Sequence, residues 1–244
     1  MITQGMVVLI HYSTYLAPGV LLFGLWFALT PKSLTALRLL ILLMAFVLMR
    51  DVMTPLGLWS LGSEVQLGFT ANAFVLAVLG GVSVLLIAVL MRVAPDLSAL
   101  IVWSRGPRGV GLVVGLAVGS LIGMPLRFYQ NIDASAIPGY WVWLPGMVVL
   151  AYGANALEEV LFRGFLQGYL EQHAAPLRAA LISGVAFAAC HGFLALSVTQ
   201  LGWPVLLFTL LEGLACALVR MRYGMLAATL THGTAIPLIA VPQP

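Results

Sequence analysis

Eight long apolar runs follow one another along the 244-residue chain, and most of its charged residues lie in the short segments between them. A membrane-spanning helix needs about 20 predominantly apolar residues. Hydrophobic residues make up 62% of the chain and charged residues only 8%, whereas a soluble domain carries about a quarter charged residues. Such a chain could not cover itself with a surface suited to water. The sequence therefore predicts an integral membrane protein surrounded by the lipid bilayer.

The predicted fold class is all-α, a polytopic transmembrane helix bundle of about eight spans. The apolar runs cover residues 6–29, 34–49, 69–91, 109–125, 141–162, 178–197, 203–219 and 223–240. The fifth run is expected to continue as a helix towards Gln172 and to end before Pro176, which disfavours helix at the residue preceding it. No linker or soluble segment is visible, so residues 1–244 are interpreted as a single integral membrane domain.

Lysine and arginine are distributed unequally between the two sides of the predicted bundle. We number the segments between the spans from the one that follows the first span. The side of the odd-numbered segments holds nine of these residues: Lys32, Arg38, Arg92, Arg105, Arg108, Arg163, Arg178, Arg220 and Arg222. The side of the even-numbered segments holds two, Arg50 and Arg127. The cation-rich side of a membrane protein faces the cytoplasm. We therefore expect both termini outside and a location in the bacterial cytoplasmic (inner) membrane. Because no basic tract is present, a nucleic-acid partner is not expected.

The fourth run contains glycines at every fourth position, Gly111, Gly115, Gly119 and Gly123. Glycines at this spacing form one smooth stripe on a helix, along which a second membrane helix can approach closely. The pattern predicts a helix-packing surface.

Three ionisable residues lie close together in the fifth run, in the stretch ANALEEVLFRGFLQGYL (154–170). Ionisable groups inside a span are costly and suggest function. Glu159 and Arg163 are four residues apart, with the glutamate on the N-terminal side, which favours a helical ion pair. Glu158 points about 100° away around the helix, on the face that also carries Asn155. Arg163 can thus neutralise Glu159 and leave Glu158 able to take and return a proton. The alternative is a helix-stabilising ion pair with an incidental neighbour.

Other ionisable residues fall at a similar depth in the predicted bundle. At a rise of about 1.5 Å per residue from the cytoplasmic ends, the depths are roughly 20 Å for Glu158, 18 Å for His191, 14 Å for His232 and 12 Å for Glu212. These side chains could share one layer of a cavity that opens to the cytoplasmic side. Glu212 is expected either to pair with Arg163 or to line that cavity. For the two histidines, the alternative is a packed, hydrogen-bonded side chain.

Three motifs in the second half of the chain resemble those of the CAAX protease and bacteriocin-processing (CPBP) family. EEVLFRG, from Glu158, matches the family's EExxxR, and FAACH, ending at His191, matches FxxxH. HGTAI, from His232, lies where the third motif begins, and the preceding YGMLAATLTH is also similar. The resemblance covers about residues 141–240, so the last four helices would form the catalytic core.

The resemblance implies an intramembrane endopeptidase similar to the type II CAAX prenyl endopeptidases. Its substrate would be a protein or peptide with a C-terminal or membrane-proximal cleavage site. By position in the motifs, Glu158 would activate water with the assistance of His191. Glu159 and Arg163 would hold the site together, and His232 would face the scissile carbonyl.

The resemblance leaves two possibilities for a metal. Family members are described as glutamic-type proteases, so no cofactor is expected. Older descriptions as metalloproteases leave open a divalent metal such as zinc, for which Glu158, His191 and His232 would be the ligand set. Two histidines and one glutamate are a known catalytic zinc set, but here they would come from three separate helices, and no HExxH motif is present.

One position departs from the family pattern. The third motif commonly has Asn or Asp four residues after its histidine, where this chain has Ile236. That polar group is a plausible oxyanion partner, and the loss of such a donor can cost orders of magnitude in rate. Asn155, one turn before Glu158 on the same face, is the best substitute, ahead of Thr231 and Thr234.

Alternatives from other classes follow from the same residues. With Ile236, the chain could be a catalytically weakened or inactive family member that acts as a membrane scaffold or bacteriocin-immunity protein. Intramembrane carboxylates and histidines also mark proton-coupled transporters, although no internal repeat or matching pair of broken helices is visible. A cysteine protease using Cys190 is disfavoured, because Cys190 and His191 diverge by about 100° on a helix.

Overall fold

The computed structural model describes residues 2–61, 66–192 and 202–243, which are predominantly helical. The helices are α1 (Ile2–Leu29), α2 (Thr35–Asp51), α3 (Ala73–Val93), α4 (Pro95–Ser98), α5 (Arg108–Tyr129), α6 (Tyr140–Glu159), a π-helical segment (Val160–Leu166), α7 (Gln167–Glu171), α8 (Pro176–Cys190), α9 (Trp203–Tyr223) and α10 (Met225–Ile239). The strands are β1 (Trp59–Leu61), β2 (Leu67–Thr70) and β3 (Ala240–Gln243). The predicted all-α class is confirmed.

Each predicted apolar run overlaps one of the helices that have at least 15 residues. The helix of the sixth run, α8, ends at Cys190, and positions 193–197 of that predicted span lie outside the described residues. Within the described ranges, four helices are long and apolar enough to cross a membrane, namely α1, α3, α5 and α9. The protein is therefore an integral membrane protein, and the total of eight spans stays a prediction.

The segments predicted to carry the excess of cations gather at one end of the bundle. Arg105 pairs with Glu171 at the end of α7 (N···O 2.9 Å), and Glu171 also pairs with Arg220 in the last turn of α9. Arg38, in the first turns of α2, pairs with Asp96 of α4. The ion pairs of Glu171 join α7 to Arg105 and α9, and the third pair joins α2 to α4. We call this end of the bundle the cation-rich end.

The opposite end of the bundle carries a three-stranded sheet. β1 pairs antiparallel with β2, and β2 pairs parallel with β3, which directly follows α10. The sheet shows that the predicted start of the third span, at residue 69, was wrong, because residues 67–70 form β2. Helix α3 begins only after Asn72, whose side-chain oxygen accepts a hydrogen bond from the Val75 backbone N–H (3.4 Å).

The glycine stripe of α5 packs against α10, as predicted for a close helix contact. A Cβ atom at Gly115 would lie 2.5 Å from the carbonyl oxygen of Ala227, and one at Gly119 would lie 2.4 Å from that of Thr231. A side chain at either position would push the two helices apart. Since His232 directly follows Thr231, this contact fixes the depth and rotation of a predicted site residue.

Helix α6 occupies the centre of the bundle. It packs against α3 and α10, and its π-helical continuation packs against α2 and α8. In the core around this continuation, the ring of Phe162 meets those of Phe46 and Phe187 edge-on, at centroid distances of 5.7 and 5.1 Å. The residues that follow Glu158 and Glu159 are thereby held on both sides.

Candidate active site

The two adjacent glutamates lie where α6 passes into the π-helical segment. Glu158 and Glu159 are the last residues of α6, and Arg163 lies within Val160–Leu166. π-Helical turns are rare and frequently occur at functional sites. Ser183 of α8 donates a hydrogen bond to the carbonyl oxygen of Phe162 (2.9 Å). This bond gives a buried backbone acceptor in the widened turn a second partner and ties α8 to it.

Glu159 and Arg163 form the ion pair that their spacing predicts. Arg163 Nη1 lies 3.3 Å from Glu159 Oε1, and both side chains are completely buried. Arg163 also donates from Nη2 to the carbonyl oxygen of Gly213 (2.8 Å), and its guanidinium lies 4.5 Å from the centre of the Phe187 ring. The arginine therefore links the α6 continuation to α8 and α9.

His232 lies between two carboxylates. Its Nδ1 lies 3.0 Å from Glu159 Oε1, and its Nε2 lies 3.5 Å from Glu212 Oε2. Of the two positions predicted for Glu212, the structure shows the one at the cavity wall, with His232 as its neighbour. The imidazole of His232 is thus positioned by contacts on both of its nitrogens.

Glu158 differs from Glu159 in its surroundings. Its Oε2 is buried and has no hydrogen-bond partner among the described residues. Glu158 lines a cavity of about 170 Å³ and also a second cavity of about 800 Å³. We call these the small and the large cavity. Glu158 is thus shared by the walls of both cavities.

His191 is the residue that directly follows α8, and its side chain is buried at the wall of the small cavity. Its Nδ1 lies 2.8 Å from the carbonyl oxygen of Phe187. A carbonyl oxygen only accepts, so Nδ1 must carry the proton of this bond, and Nε2 of a neutral ring is then an acceptor. The histidine is oriented by its own helix and keeps one nitrogen for another partner.

The small cavity brings together five of the seven predicted site residues. Its polar lining includes Asn155, Glu158, His191, Glu212 and His232. The other two, Glu159 and Arg163, are not among its lining residues, but Glu159 contacts both Arg163 and the lining residue His232. The catalytic roles assigned to these residues stay predictions, but the chain does place them around one space.

The large cavity connects this site with the cation-rich end. It lies between α6 and the first three helices, and Lys32 and Arg38 are among its lining residues. Glu158 lies on its wall as well. Apart from Arg50 and three hydroxyl side chains, the remaining wall is apolar.

Ile236 lies at the wall of the small cavity, at the position where the family pattern has a polar residue. Asn155, the preferred substitute, also lines the cavity, but its Nδ2 donates to the carbonyl oxygen of His232 (3.4 Å). The hydroxyls of Thr231 and Thr234 contact the Ala227 carbonyl oxygen (3.0 Å) and the Tyr152 hydroxyl (2.9 Å). Each of the three side chains thus already has a protein partner, although Asn155 keeps a second N–H on Nδ2.

Arg50 is a cavity residue that the sequence analysis missed. It directly follows the second predicted apolar run, and the structure places it in the last turn of α2, at the wall of both cavities. An arginine at the end of an apolar run, followed by Asp51, is equally typical of a helix that ends at the membrane surface and has no cavity beside it. No signal within the sequence distinguishes the two situations.

A metal would need converging ligand atoms. Within the described ranges, one group of three histidine, cysteine or carboxylate side chains has all its ligand atoms within 4.8 Å of one another, namely Glu159, Cys216 and His232. The arrangement does not bring Glu158, His191 and His232 together in this way. Glu159 in the converging group is already paired with Arg163, a neighbouring cation that disfavours a second one.

Comparison with known proteins bears on the second half of the chain. Residues 140–235 match the model of a family described as "Type II CAAX prenyl endopeptidase Rce1-like". No curated protein and no solved structure gives a significant match. The match confirms the resemblance predicted from the motifs. It runs from the start of α6 into α10, and all seven predicted site residues lie within it.

Proposed function

We propose that the protein is an intramembrane endopeptidase, in which Glu158 activates water to hydrolyse a peptide bond near the membrane-proximal tail of a protein or peptide. The observation that carries this proposal is the contrast between the two adjacent glutamates. Glu159 is paired with Arg163, whereas Glu158, a residue of both cavity walls, has a buried oxygen without a hydrogen-bond partner among the described residues. The family match supports the reaction class.

The proposed reaction uses Glu158 first as a base and then as an acid. Its carboxylate takes a proton from water while the water oxygen bonds to the scissile carbonyl carbon, and the C=O electron pair moves onto the carbonyl oxygen. When the C=O bond re-forms, the C–N bond breaks, and the Glu158 carboxyl returns the proton to the leaving amine. His191 would orient the same water through Nε2, since its Nδ1 is committed to Phe187.

The remaining site residues would act by position and charge. Glu159 and Arg163 hold the π-helical turn and His232 together. His232 lies at the wall of the small cavity, where its imidazole would polarise the scissile carbonyl group. Glu212, near Nε2, would help to hold that ring in place. An apolar, water-poor cavity strengthens each of these interactions.

The substrate would reach Glu158 through the large cavity, from the cation-rich end. The route is supported by the lining of that cavity, which includes both Lys32 and Glu158. By the distribution of lysine and arginine, this end faces the cytoplasm of a bacterial cell and the termini face outward. The proposed partner that takes this route is a protein or peptide with a C-terminal or membrane-proximal cleavage site.

Substitution of Glu158 by glutamine tests the proposal. The purified protein, in detergent or in liposomes, is incubated with internally quenched peptides that end in a CAAX sequence, both unmodified and farnesylated. We expect Glu158→Gln to lower kcat at least about 10²-fold, because a general base typically contributes 10²–10⁴. Asp133→Asn is the matched control, since Asp133 is an exposed carboxylate outside both cavities. Cleavage by Glu158→Gln at the rate of this control contradicts the proposal.

Ile236 favours one alternative, a catalytically inactive family member that serves as a membrane scaffold or bacteriocin-immunity protein. An apolar residue lies where an oxyanion donor is expected. In that case the wild-type protein cleaves none of the peptides, and cells that carry Glu158→Gln or His191→Ala keep the phenotype of the wild type. Loss of both the phenotype and the cleavage supports the protease.

The proposed mechanism has no metal in it. A zinc-dependent version would have to draw Glu158, His191 and His232 together, which requires a rearrangement of the site as it stands. Elemental analysis of active protein, with activity measured before and after chelation, distinguishes the two. Stoichiometric zinc together with activity that is lost on chelation and restored by zinc supports the metal-dependent version.

A further inference from the structure

Arg50 is held in place by contacts on two of its three guanidinium nitrogens. Nε and Nη2 donate to Asp51 Oδ1 (3.1 and 2.9 Å), and Nη2 also donates to the carbonyl oxygen of Cys190 (2.6 Å). Cys190 directly precedes His191. Because the guanidinium is planar and rigid, two anchored nitrogens fix the direction of the third one relative to the active-site histidine.

The third nitrogen, Nη1, has no hydrogen-bond partner among the described residues, although it is buried. A buried, charged donor without a partner is costly. Arg50 lies at the wall of both cavities beside Glu158. A donor of this kind is suited to an anionic or partly anionic oxygen that is present only when the site is occupied.

The charges around the small cavity show what such an oxygen would meet. Arg50 is the single lysine or arginine among the described residues that line the small cavity. The other ionisable residues of this wall are glutamates and histidines. Asn155 and His232, which also line this wall, each already contact a protein oxygen and carry no permanent positive charge comparable to that of Arg50. Asn155 donates to a backbone carbonyl, and both nitrogens of His232 lie next to carboxylates. Ile236 offers no donor at all.

We propose that Arg50 is a catalytic residue, whose Nη1 donates to the scissile carbonyl oxygen as it becomes an oxyanion. This inference rests on the proposed protease function. While the water oxygen bonds to the carbonyl carbon and Glu158 takes the proton, the electron pair displaced onto the carbonyl oxygen is stabilised by the Arg50 N–H. When the C=O bond re-forms and the C–N bond breaks, that interaction weakens again and the arginine is unchanged.

The position of Arg50 also explains how a chain with Ile236 can be active. A charged donor to the transition state is stronger than a neutral amide donor. The oxyanion donor is then supplied from α2, in the first half of the chain, outside the region matched by the family model. An activity that depends on Arg50 therefore requires the first helices as well as the catalytic core.

The decisive comparison is between Arg50→Met and Arg92→Met. Arg92 is an exposed arginine in the last turn of α3, just as Arg50 is in the last turn of α2. With the unmodified and farnesylated CAAX peptides, we expect Arg50→Met to lower kcat about 10²–10³-fold with little change in KM, the effect of removing one oxyanion donor. Arg92→Met should behave like the wild type. Arg50→Lys, which keeps the charge but loses the planar fork, should recover part of kcat.

Two other results overturn the inference. If Arg50→Met raises KM and leaves kcat unchanged, the arginine binds the substrate, for instance through a C-terminal carboxylate, and does not stabilise the transition state. If Arg50→Met matches Arg92→Met in both parameters, it has no part in the reaction. When Glu158→Gln abolishes cleavage in the same experiment, either result removes only the role of Arg50. When Glu158→Gln cleaves normally, the proposed function itself is wrong.

A binding measurement covers the case in which Arg50→Met is poorly folded. A peptide phosphinate carries an anionic oxygen on a tetrahedral phosphorus, which resembles the oxyanion, whereas the uncleaved CAAX peptide does not. Arg50→Lys is compared with the wild type, each with Glu158→Gln to prevent turnover. We expect weaker binding of the phosphinate and unchanged binding of the peptide. Equal affinity for the phosphinate in the two proteins contradicts the proposal.

Discussion

At the scale of single residues, Glu159 has two partners on one oxygen. Arg163 and His232 both approach Oε1, at 3.3 and 3.0 Å. Removing the arginine would leave a carboxylate completely buried beside an imidazole, in surroundings with almost no water. The attraction within the pair therefore contributes little net stability, whereas removing one partner is costly because the other is left as an uncompensated buried charge.

A double-mutant cycle at this pair tests that argument. Arg163→Met should lower the free energy of unfolding by about 3–5 kcal/mol, because it leaves a buried charge uncompensated. Glu159→Gln with Arg163→Met should be more stable than Arg163→Met alone, since no charge is then left behind. Unfolding in mixed micelles, followed by tryptophan fluorescence, measures all variants. If the loss of unfolding free energy in the double variant equals the sum of the losses in Glu159→Gln and Arg163→Met, the two residues are not coupled.

The sequence was informative about residues that are close along one helix. The spacing of four between Glu159 and Arg163 is enough to predict their pairing, and helix phase is enough to separate Glu158 from both. The contacts of His232 and Arg50 are between helices far apart in sequence. They depend on where each helix lies and how it is rotated, and periodicity within a single helix does not contain that information.

At the scale of helices and strands, the contact between α5 and α10 positions His232. The glycine spacing predicts a close packing surface on α5, but not that α10 is its partner. Two other features had no local signal. Phe162 of the π-helical segment packs against rings of two other helices, and the sheet consists of strands of three or four residues from separate parts of the chain.

Gly119→Ala tests whether this helix contact supports the site. The added Cβ would meet the Thr231 carbonyl oxygen at 2.4 Å, so α10 must shift. We expect a loss of about 1–3 kcal/mol in stability, as in other overpacked cores, and reduced cleavage of the CAAX peptides. Gly109→Ala is the control in the same helix, since a Cβ there meets nothing within 4 Å. Equal stability and activity of the two variants would show that the contact is not tight.

At the scale of the whole molecule, the bundle has two chemically different ends. One holds the ion pairs of Glu171 with Arg105 and Arg220, and the other holds the sheet. The small cavity is bounded by residues of the sheet, such as Trp59 and Phe69, whereas the large cavity extends to Lys32. Glu158 lines both cavities, so for the proposed protease the orientation of the bundle decides from which side of the membrane a substrate arrives.

Labelling of single cysteines in intact cells tests that orientation. The reporters are Ser33→Cys and His173→Cys in segments of the cation-rich side and Ser135→Cys on the opposite side, and all three positions are exposed. The background has Cys190 and Cys216 replaced by alanine. The excess of lysine and arginine predicts that a membrane-impermeant maleimide labels Ser135→Cys in intact cells, and labels the other two only after the membrane is opened. The reverse pattern would place the cation-rich end outside, and the substrate route through the large cavity would then begin at the outer surface.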